Sequence, residues 1–541
     1  MFKDIQKKFG FLMSKTQVQK QQPKKDKITE EPKNTNEPVP TLSKSLGDNL
    51  KNIREALGNS NDLVIREFSF GKNHCINAAL VFVDGLANIT IMNDNIIEPL
   101  IYKSGFLDFD QSIESLSIDD IKKSMLSVND VKDAISLEEV TTGFLVGDAV
   151  LMINGADRAL AINCKGWEKR SVSEPATESV IRGPREGFTE NLRTNTALIR
   201  RIIKAPALTM ETMTLGEKTR TIICLAYIRG VANDELIQEV KNRLSVINTD
   251  AILESGYIEQ YIEDAPFSIF PTISYTEKPD VVSGKLLEGR IAILVDGTPF
   301  VLTAPMLFAE SFQTAEDYYS RPFFMSMLRI IRSLAFLISI LAPAFYVAIT
   351  TFHQELIPTD LLFTMVAARE TVPFPAVIEA LIMILAFELL REAGVRLPRP
   401  VGQSISIVGA LIMGDAAVSA GLIGAPMVIV IAITSVAIFA VPSQADSAAI
   451  LRLVMLVLAG AMGGFGITIG LLAVLVHLSS LKSFGFSYLA PIAPFQPKDM
   501  KDSFFRFPLW KMRTRPNGMA KNDVTRQGDF TPMSISKNKE D

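Results

Sequence analysis

Two glutamates lie inside or at the end of an otherwise apolar stretch, residues 373–390, and their position suggests ion chemistry. Glu379 and Glu388 are nine residues apart, about two and a half turns of a helix, so their carboxylates face different directions. A charge at the centre of a membrane helix costs about 2.5–3.5 kcal/mol, so Glu379 must face protein or water. Glu379 is therefore a candidate for lining a pore or cation pathway, and a buried acid paired with a neighbouring helix is the competing interpretation. For Glu388 we favour a solvated residue at the helix end.

A third acid, Asp415, lies among glycines and alanines where a membrane helix is expected to break. Residues 409–426 contain four glycines and a proline, which fits a broken or re-entrant pair of short helices better than one continuous helix. A broken helix exposes backbone carbonyls that can form an ion site together with a carboxylate. The competing interpretation of Asp415 is an aspartate in a surface loop.

A charged linker, residues 171–195, alternates arginines with glutamates and contains two prolines and two glycines. Its arginines could bind phosphate, but the linker lacks the glycine spacing of a phosphate-binding loop. Alternating charges of this kind suit a fixed network of ion pairs between subunits or domains. The candidate subunit-contact residues are Glu178, Arg182, Gly183, Pro184, Arg185, Glu186 and Arg193.

The rest of the sequence offers little catalytic chemistry. The chain has three histidines and three cysteines, with no Ser-His-Asp set, no His-Glu-x-x-His motif and no metal-like cysteine spacing. We therefore expect no enzymatic activity, no cofactor and no metal site. A net charge of −4 over 541 residues argues against nucleic acid as a partner.

The elements that must position Glu379 and Asp415 belong to an apolar block, residues 325–481. Its apolar runs predict an α-helical polytopic membrane domain with four crossings, and six crossings are the alternative. These runs are residues 333–351, 373–390, 427–441 and 450–478. Basic residues precede the first run, follow the second and follow the last, which places both ends of the block in the cytoplasm.

The part of the chain before this block carries an internal repeat. Residues 78–88 and 223–233 are both apolar, β-rich runs that end in Asp-Gly or Arg-Gly, and residues 147–155 and 289–297 repeat the pattern with Asn-Gly and Asp-Gly. Such a run is a strand that closes at a residue tolerant of positive φ. We therefore expect an α+β or α/β cytoplasmic head of two similar subdomains.

The predicted boundaries follow from these features. They are a disordered Lys-rich tail at residues 1–45, subdomains at 50–170 and 196–315 on either side of the linker, the membrane domain at 325–481, and a basic cytoplasmic tail at 482–541.

Three groups of residues resemble the motifs of one family. They are E-P-x-T-E-x-x-I-R-G-P-R-E-x-F at residues 174–188, P-F-P-x-x-x-E-x-x-x-M at residues 373–383, and R-P-x-G-Q at residues 399–403, followed by Gly409 and Gly414. The family is the A subunit of the GerA-type spore germinant receptors of endospore-forming bacteria. The resemblance covers about residues 50–495 and leaves out the Lys-rich ends.

This resemblance implies a nutrient receptor in the inner membrane of dormant spores, in contact with membrane lipid and built with two partners. One partner is a transporter-like B subunit that binds the nutrient, and the other is a C subunit that is a lipoprotein. The A subunit would form a homo-oligomer, a pentamer, that acts as a nutrient-gated channel releasing monovalent cations. The competing hypotheses are a secondary transporter built around Asp415 and a membrane-anchored scaffold for receptor assembly.

Overall fold

The first half of the head is a five-stranded antiparallel sheet with helices on both faces. In chain order its strands are β1 Leu63–Phe70, β2 Ile76–Val83, β3 Val131–Ala134, β4 Ala149–Ile153 and β5 Ala159–Ile162. They lie in the order β1-β2-β4-β5-β3. One face is covered by α1 Leu46–Ala56 and α2 Leu137–Leu145. The other face is covered by short helical stretches that include Asn93–Ile97 and Ile121–Met125.

In this computed structural model the described residues are 41–71, 74–103, 118–128, 130–166, 175, 178, 180–396, 409, 412–516, 518–521, 523–528 and 530. Residues Leu42–Asp541 form one compact unit, and the other unit, Met1–Thr41, lies almost entirely outside the described residues. The predicted Lys-rich tail, Glu174 and the R-P-x-G-Q motif at residues 399–403 therefore lie largely or wholly outside them.

The second half of the head repeats the first. In chain order its strands are β6 Leu208–Leu215, β7 Thr221–Ile228, β8 Ser274–Thr276, β9 Ile291–Val295 and β10 Val301–Ala304. They lie in the order β6-β7-β9-β10-β8, which is the order of the first sheet. One face is covered by α3 Leu192–Ile202 and α6 Pro279–Leu287. The other is covered by α4 Asp234–Val246 and α5 Ser255–Ile262.

The sequence repeat corresponds to strands at equal places in the two sheets. β2 matches β7, and β4 matches β9. The closing glycines have positive φ, 79° at Gly85 and 78° at Gly230, and 91° at both Gly155 and Gly297. Glycine adopts this conformation without the steric cost that a Cβ would bring, which explains why each run ends in glycine. The repeat did not predict the edge strands β3 and β8, since four and three residues carry too little pattern.

The described residues of the apolar block form five helices of at least nine residues. They are α7 Pro322–Thr351, α8 Thr359–Ala367, α9 Ala376–Arg396, α10 Ala425–Ile438 and α11 Ala445–Ser480. Among the described residues, two helical segments, Pro322–Thr351 and Pro442–Ser480, are long and apolar enough to cross a membrane. Pro343 lies inside α7 without ending that helix.

The helix α11 folds back on itself at Gly463, which has φ 60° and ψ −139°. A Cβ added to Gly466 would collide with the carbonyl oxygen of Leu458, and one on Gly470 would lie 2.6 Å from the sulfur of Met455. In a straight helix, Gly466 would lie about 12 Å along the axis from Leu458, and Gly470 would lie about 22 Å from Met455. α11 is therefore a hairpin of two arms, residues 445–462 and 464–480, each about 26 Å long and close to the thickness of a bilayer core.

Contacts at its two ends orient this hairpin. Ser447 Oγ donates to the carbonyl of Ile269 at 2.5 Å, and Ser268 Oγ lies 3.0 Å from Nε2 of His477. The first arm therefore begins, and the second arm ends, beside the same turn of the head. At the tip, the backbone N–H of Gly464 donates to Nε2 of His353 at 3.2 Å, just beyond the last residue of α7. We call these the head end and the far end of the block.

The helices α9 and α10 both begin at the far end. A Cβ on Gly460, near the hairpin tip, would lie 2.6 Å from Val377, close to the start of α9. Gly424, which precedes α10, donates its N–H to Glu379 at 2.6 Å. α10 leads back to the head end, where Gln444 Nε2 donates to Ser311 Oγ at 2.7 Å. α9 and α10 therefore run in the same direction.

The C-terminal segment, residues 482–530, packs on the head. It opens with a small hairpin of β11 Lys482–Ser483 and β12 Phe486–Ser487. Ser483 Oγ donates to the carbonyl of Thr272 at 2.7 Å, and Tyr488 is fully buried. The segment is thus part of the folded head.

Candidate functional site

Glu379 is fully buried near the far end of the block. Its Oε1 accepts the N–H of Gly424 at 2.6 Å, and its Oε2 lies 3.6 Å from Nε of Arg369. Gly424 is the N-cap of α10, so the carboxylate sits at the positive end of that helix dipole. The sequence left two interpretations of Glu379 open, a residue that lines a pore and a buried acid paired with a neighbouring helix. The observed contacts have the geometry of the second interpretation.

Glu388, for which the sequence favoured a solvated residue at the helix end, has a side chain that is 24% exposed and forms two ion pairs. Its carboxylate pairs with Arg391 at 2.8 Å on its own helix and with Arg452 at 3.4 Å on the first arm of α11. The side chain of Arg452 is fully buried and also donates from Nε to the carbonyl of Ser339 at 2.9 Å. The sequence did not identify Arg452 as a partner, because the predicted run at residues 450–478 placed it at a helix start.

Asp415 is exposed, in the helical turn Ile412–Ala416. Among the described residues it makes no hydrogen bond or ion pair with Glu379 or Glu388. The structure therefore does not bring the three predicted acids together. Its exposure matches the surface interpretation of Asp415.

Several linker residues are held inside the chain by the second sheet. Thr276 on β8 donates its hydroxyl to Oε2 of Glu178 at 2.6 Å, and burial raises the pKa of that carboxyl. The carbonyl of Pro184 accepts from Nζ of Lys278 at 2.9 Å. Gly183 has φ 148°, and a Cβ there would lie 2.9 Å from the ring of Tyr319. Glycine is therefore required for the linker backbone to approach that ring.

The other linker residues face outward. Glu186 pairs with Arg201 at 3.3 Å, and Arg193 pairs with Asp84, at the end of β2, at 2.7 Å. Arg182 and Arg185 both have exposed side chains. Arg182 uses its backbone N–H to bind Oε1 of Glu316 at 3.2 Å, which leaves its guanidinium outside that contact.

A buried ion pair that the sequence did not predict joins the two halves of the head. Arg200 on α3 donates from Nε and Nη2 to the two oxygens of Asp62, both at 2.9 Å. Its Nη1 donates to the carbonyl of Leu208 at 3.0 Å, and its side chain is fully buried. The partners are 138 residues apart, so no local pattern could have revealed the pair. This role differs from the phosphate binding considered for the linker arginines.

A second charged network lies at the head end of α7. Asp317 is buried between Arg329 at 2.7 Å and Arg332 at 2.9 Å. Burial alone would raise the pKa of Asp317, but the hydrogen bonds and charges of the two guanidinium groups hold it below its ordinary value. Arg329 also pairs with Asp502 of the C-terminal segment at 2.8 Å. Arg329 and Arg332, which belong to the basic residues before the first predicted run, thus join the helix to the head.

A cavity of about 380 Å³ lies between the head and the C-terminal segment. Acidic side chains such as Glu288 and Glu310 line it together with basic ones such as Arg290 and Lys501. Burial raises the pKa of Glu288. Since both signs of charge line the cavity, its electrostatics do not select the charge of a ligand.

Comparison with a family model and with known proteins points to spore germination proteins. The family model described as Bacillus/Clostridium GerA spore germination protein matches residues 51–518. Spore germination protein KA of Bacillus subtilis is 47% identical over 490 residues, covering 90% of this chain and 89% of that protein. Spore germination protein GerLA of Bacillus cereus is 39% identical over 486 residues, covering 90% and 97%.

A solved structure is also similar in sequence. It is the N-terminal domain of the A subunit of the Bacillus megaterium spore germinant receptor GerK3, with 39% identity, 50% of this chain and 98% of that chain covered, and a TM-score of 0.39. The family match spans most of the head, the whole helical block and most of the C-terminal segment. The chain therefore belongs to the GerA family of spore germination proteins.

Proposed function

We propose that this chain is the A subunit of a nutrient-responsive germinant receptor and forms a gated cation channel, without enzymatic activity, in the spore inner membrane. The observation that carries the proposal is the presence of two fully buried ionisable side chains inside apolar helices, Glu379 and Arg452, each beside a partly exposed partner of opposite charge, Arg369 and Glu388. Charged groups at membrane depth are costly and are a feature of ion pathways. The family match over residues 51–518 supports the receptor context.

Six crossings, rather than the four favoured from the sequence, fit the directions of the helices. The fold at Gly463 turns the last apolar run into two passes. α9 ends toward the head, as its pairing with Arg452 indicates, and α10 starts at the far end. Arg396 then lies toward the head end and Gly424 lies at the far end, and six is the number of crossings that fits these two described positions. In this arrangement the head and the C-terminal segment share one side, which we propose is the cytoplasm.

Glu379 is our candidate for a residue on the permeation path. Its Oε1 has one strong partner, the N–H of Gly424, whereas its Oε2 has only the longer contact of 3.6 Å to Arg369. A carboxylate held in this way can exchange a weak ion pair for a passing cation without losing its helix-capping bond. In this proposal, movement of α10 relative to α9 changes access to Glu379 and thereby gates the path.

The partners that we propose are a transporter-like B subunit that binds the nutrient, a lipoprotein C subunit, and further copies of this chain in a ring, a pentamer. The exposed part of the linker is the proposed contact between copies. Ile181 is 91% exposed and lies beside the exposed Arg182, a combination suited to burial against another protein surface.

Ion flux through reconstituted vesicles tests the channel. The full chain, alone and together with its B and C partners, is placed in liposomes loaded with K⁺, and nutrient-dependent K⁺ release is recorded for the wild type and for Glu379→Gln. Glutamine keeps an acceptor for Gly424 but loses the charge, so we expect release to change on the order of tenfold at equal protein content. The matched control is Glu392→Gln, since Glu392 is 61% exposed on the same helix and should leave release unchanged.

The same assay separates the competing functions. Saturable uptake of a solute without ion current would support the secondary transporter, and neither activity in the presence of both partners would support the scaffold. Equal release from the wild type and Glu379→Gln would remove Glu379 from the path.

A further inference from the structure

Exposed phenylalanines gather at the head end of the helical block, on segments that are far apart in the sequence. Phe323 and Phe324 at the start of α7 are 87% and 53% exposed, and Phe505 and Phe507 of the C-terminal segment are 53% and 45% exposed. Phe267, in the turn that holds both arms of α11, is fully exposed. Grouped aromatic exposure of this kind marks a surface that is covered by something else.

Hydrogen bonds fix the level of Phe505 and Phe507 along α7. The N–H of Arg506 donates to Ser326 Oγ at 3.0 Å, and Arg329 Nη1 donates to the carbonyl of Ser503 at 3.1 Å. The two phenylalanines, on either side of Arg506, therefore lie beside the first turns of α7. The exposed apolar face of that helix continues directly beyond this level with Ile330 and Ile331.

Phe267 belongs to the same end of the block. Its neighbours Ser268 and Ile269 contact His477 and Ser447, which lie near the two ends of the hairpin α11. The exposed phenylalanines thus mark one boundary, at which polar head surface gives way to helices with apolar exposed faces. In membrane proteins aromatic rings concentrate at this kind of boundary, at the level of the lipid headgroups.

The charge of the C-terminal segment points to the same partner. Residues 482–530 contain nine lysines and arginines and four aspartates, although the whole chain has a net charge of −4. Basic residues next to membrane helices attract anionic lipid. Six of the nine basic residues are exposed, namely Lys482, Lys498, Lys511, Arg513, Lys521 and Arg526. Of these, Lys521 and Arg526 pair with Glu235 and Glu288 of the head. The exposed aromatic rings together with the other exposed basic side chains fit a lipid headgroup layer better than they fit a second protein.

We propose that the C-terminal segment is a membrane-surface collar, whose Phe505 and Phe507, together with Phe323, Phe324 and Phe267, insert into the headgroup layer of an anionic bilayer. The collar fixes the head against the membrane through the contacts of Arg329 with Asp502 and Ser503. The inference rests on the bilayer location in the proposed function and is independent of ion conduction.

Fluorescence of a single tryptophan placed in the collar tests this proposal. The chain contains two tryptophans, Trp167 and Trp510, and replacing both with Phe leaves a background for Phe505→Trp. The full chain is reconstituted in phosphatidylglycerol vesicles whose acyl chains carry bromine close to the headgroup. We expect blue-shifted emission and at least about twofold quenching by the brominated lipid.

The matched control is Ile222→Trp in the same background, because Ile222 lies on β7 of the head and is 46% exposed, against 53% for Phe505. The emission of this control should stay at long wavelength without quenching.

Two results at position 505 would overturn the proposal. Blue-shifted but unquenched emission would mean that protein covers this position, and long-wavelength emission would mean that water surrounds it. Quenching in vesicles that show no K⁺ release would contradict the channel and leave the collar intact. Circular dichroism equal to that of the wild type verifies folding of each variant.

Discussion

The buried ion pair that joins the two halves of the head is satisfied differently from the two ion pairs of the helical block. In the head, Arg200 donates from Nε and Nη2 to the carboxylate of Asp62 and from Nη1 to the carbonyl of Leu208. In the block, Oε2 of Glu379, Nε of Arg369 and Nη2 of Arg452 are buried and have no hydrogen-bond partner among the described residues. The head pair is complete, whereas the block pairs keep unused bonding capacity.

This difference separates a structural role from a proposed functional one. An unsatisfied buried polar atom costs about 1–3 kcal/mol, so a protein that only needed stability would gain by completing such contacts. An ion pathway, in contrast, needs side chains that can change partners as ions pass or as helices move. The head also has buried polar atoms without a hydrogen-bond partner among the described residues, such as Nε of Arg290 and Oε2 of Glu310. The contrast is therefore between particular pairs: a complete pair where the two sheets join, and incomplete pairs beside the proposed ion path.

Breaking the complete pair should have the largest effect on stability. Arg200→Met leaves Asp62 as a buried charge without its partner, so we expect the free energy of unfolding to fall by about 3–5 kcal/mol. Urea unfolding of the full chain in detergent, followed by circular dichroism, measures this loss.

Arg201→Met is the matched control for Arg200→Met. Arg201 is the next residue along α3, is 29% exposed and pairs with the exposed Glu186, so its loss should cost less than about 1 kcal/mol. Equal losses for the two variants would show that the pair with Asp62 does not hold the two sheets together.

The same substitution in the block should cost less and change function more. Arg452→Met leaves Glu388 paired with Arg391 at 2.8 Å, so no carboxylate is stranded, and we expect a loss of about 1–2 kcal/mol. Since Arg452 joins α9 to α11, K⁺ release from reconstituted vesicles should change as well. A loss as large as that of Arg200→Met, with unaltered release, would contradict the difference drawn between the head pair and the block pairs.

Sequence patterns predicted those parts of the structure that depend on neighbours along the chain. The repeat was predictable because Gly85, Gly155, Gly230 and Gly297 each close a strand where positive φ is required. The hairpin at Gly463 was not, because a cluster of glycines permits a close helix contact as readily as a turn. Likewise, Glu379 could be identified as a buried acid from its cost in lipid, whereas its partners Gly424 and Arg369 depend on tertiary packing.

Charges on the surface of the linker should affect assembly without affecting stability. Arg182 is exposed and makes no ion pair among the described residues, so Arg182→Glu should change the free energy of unfolding by less than about 0.5 kcal/mol. If Arg182 contacts another copy of the chain, the reversed charge should lower the fraction of the purified protein that migrates as an oligomer in size-exclusion chromatography with light scattering. Arg193→Glu is the informative counterpart, because Arg193 is 60% exposed but pairs with Asp84 at 2.7 Å within the chain. Its reversal places a second negative charge beside Asp84, so it should lower the free energy of unfolding as well as weaken any contact that Arg193 makes with another copy. A normal oligomer fraction for both variants would move the contact between copies away from the linker arginines.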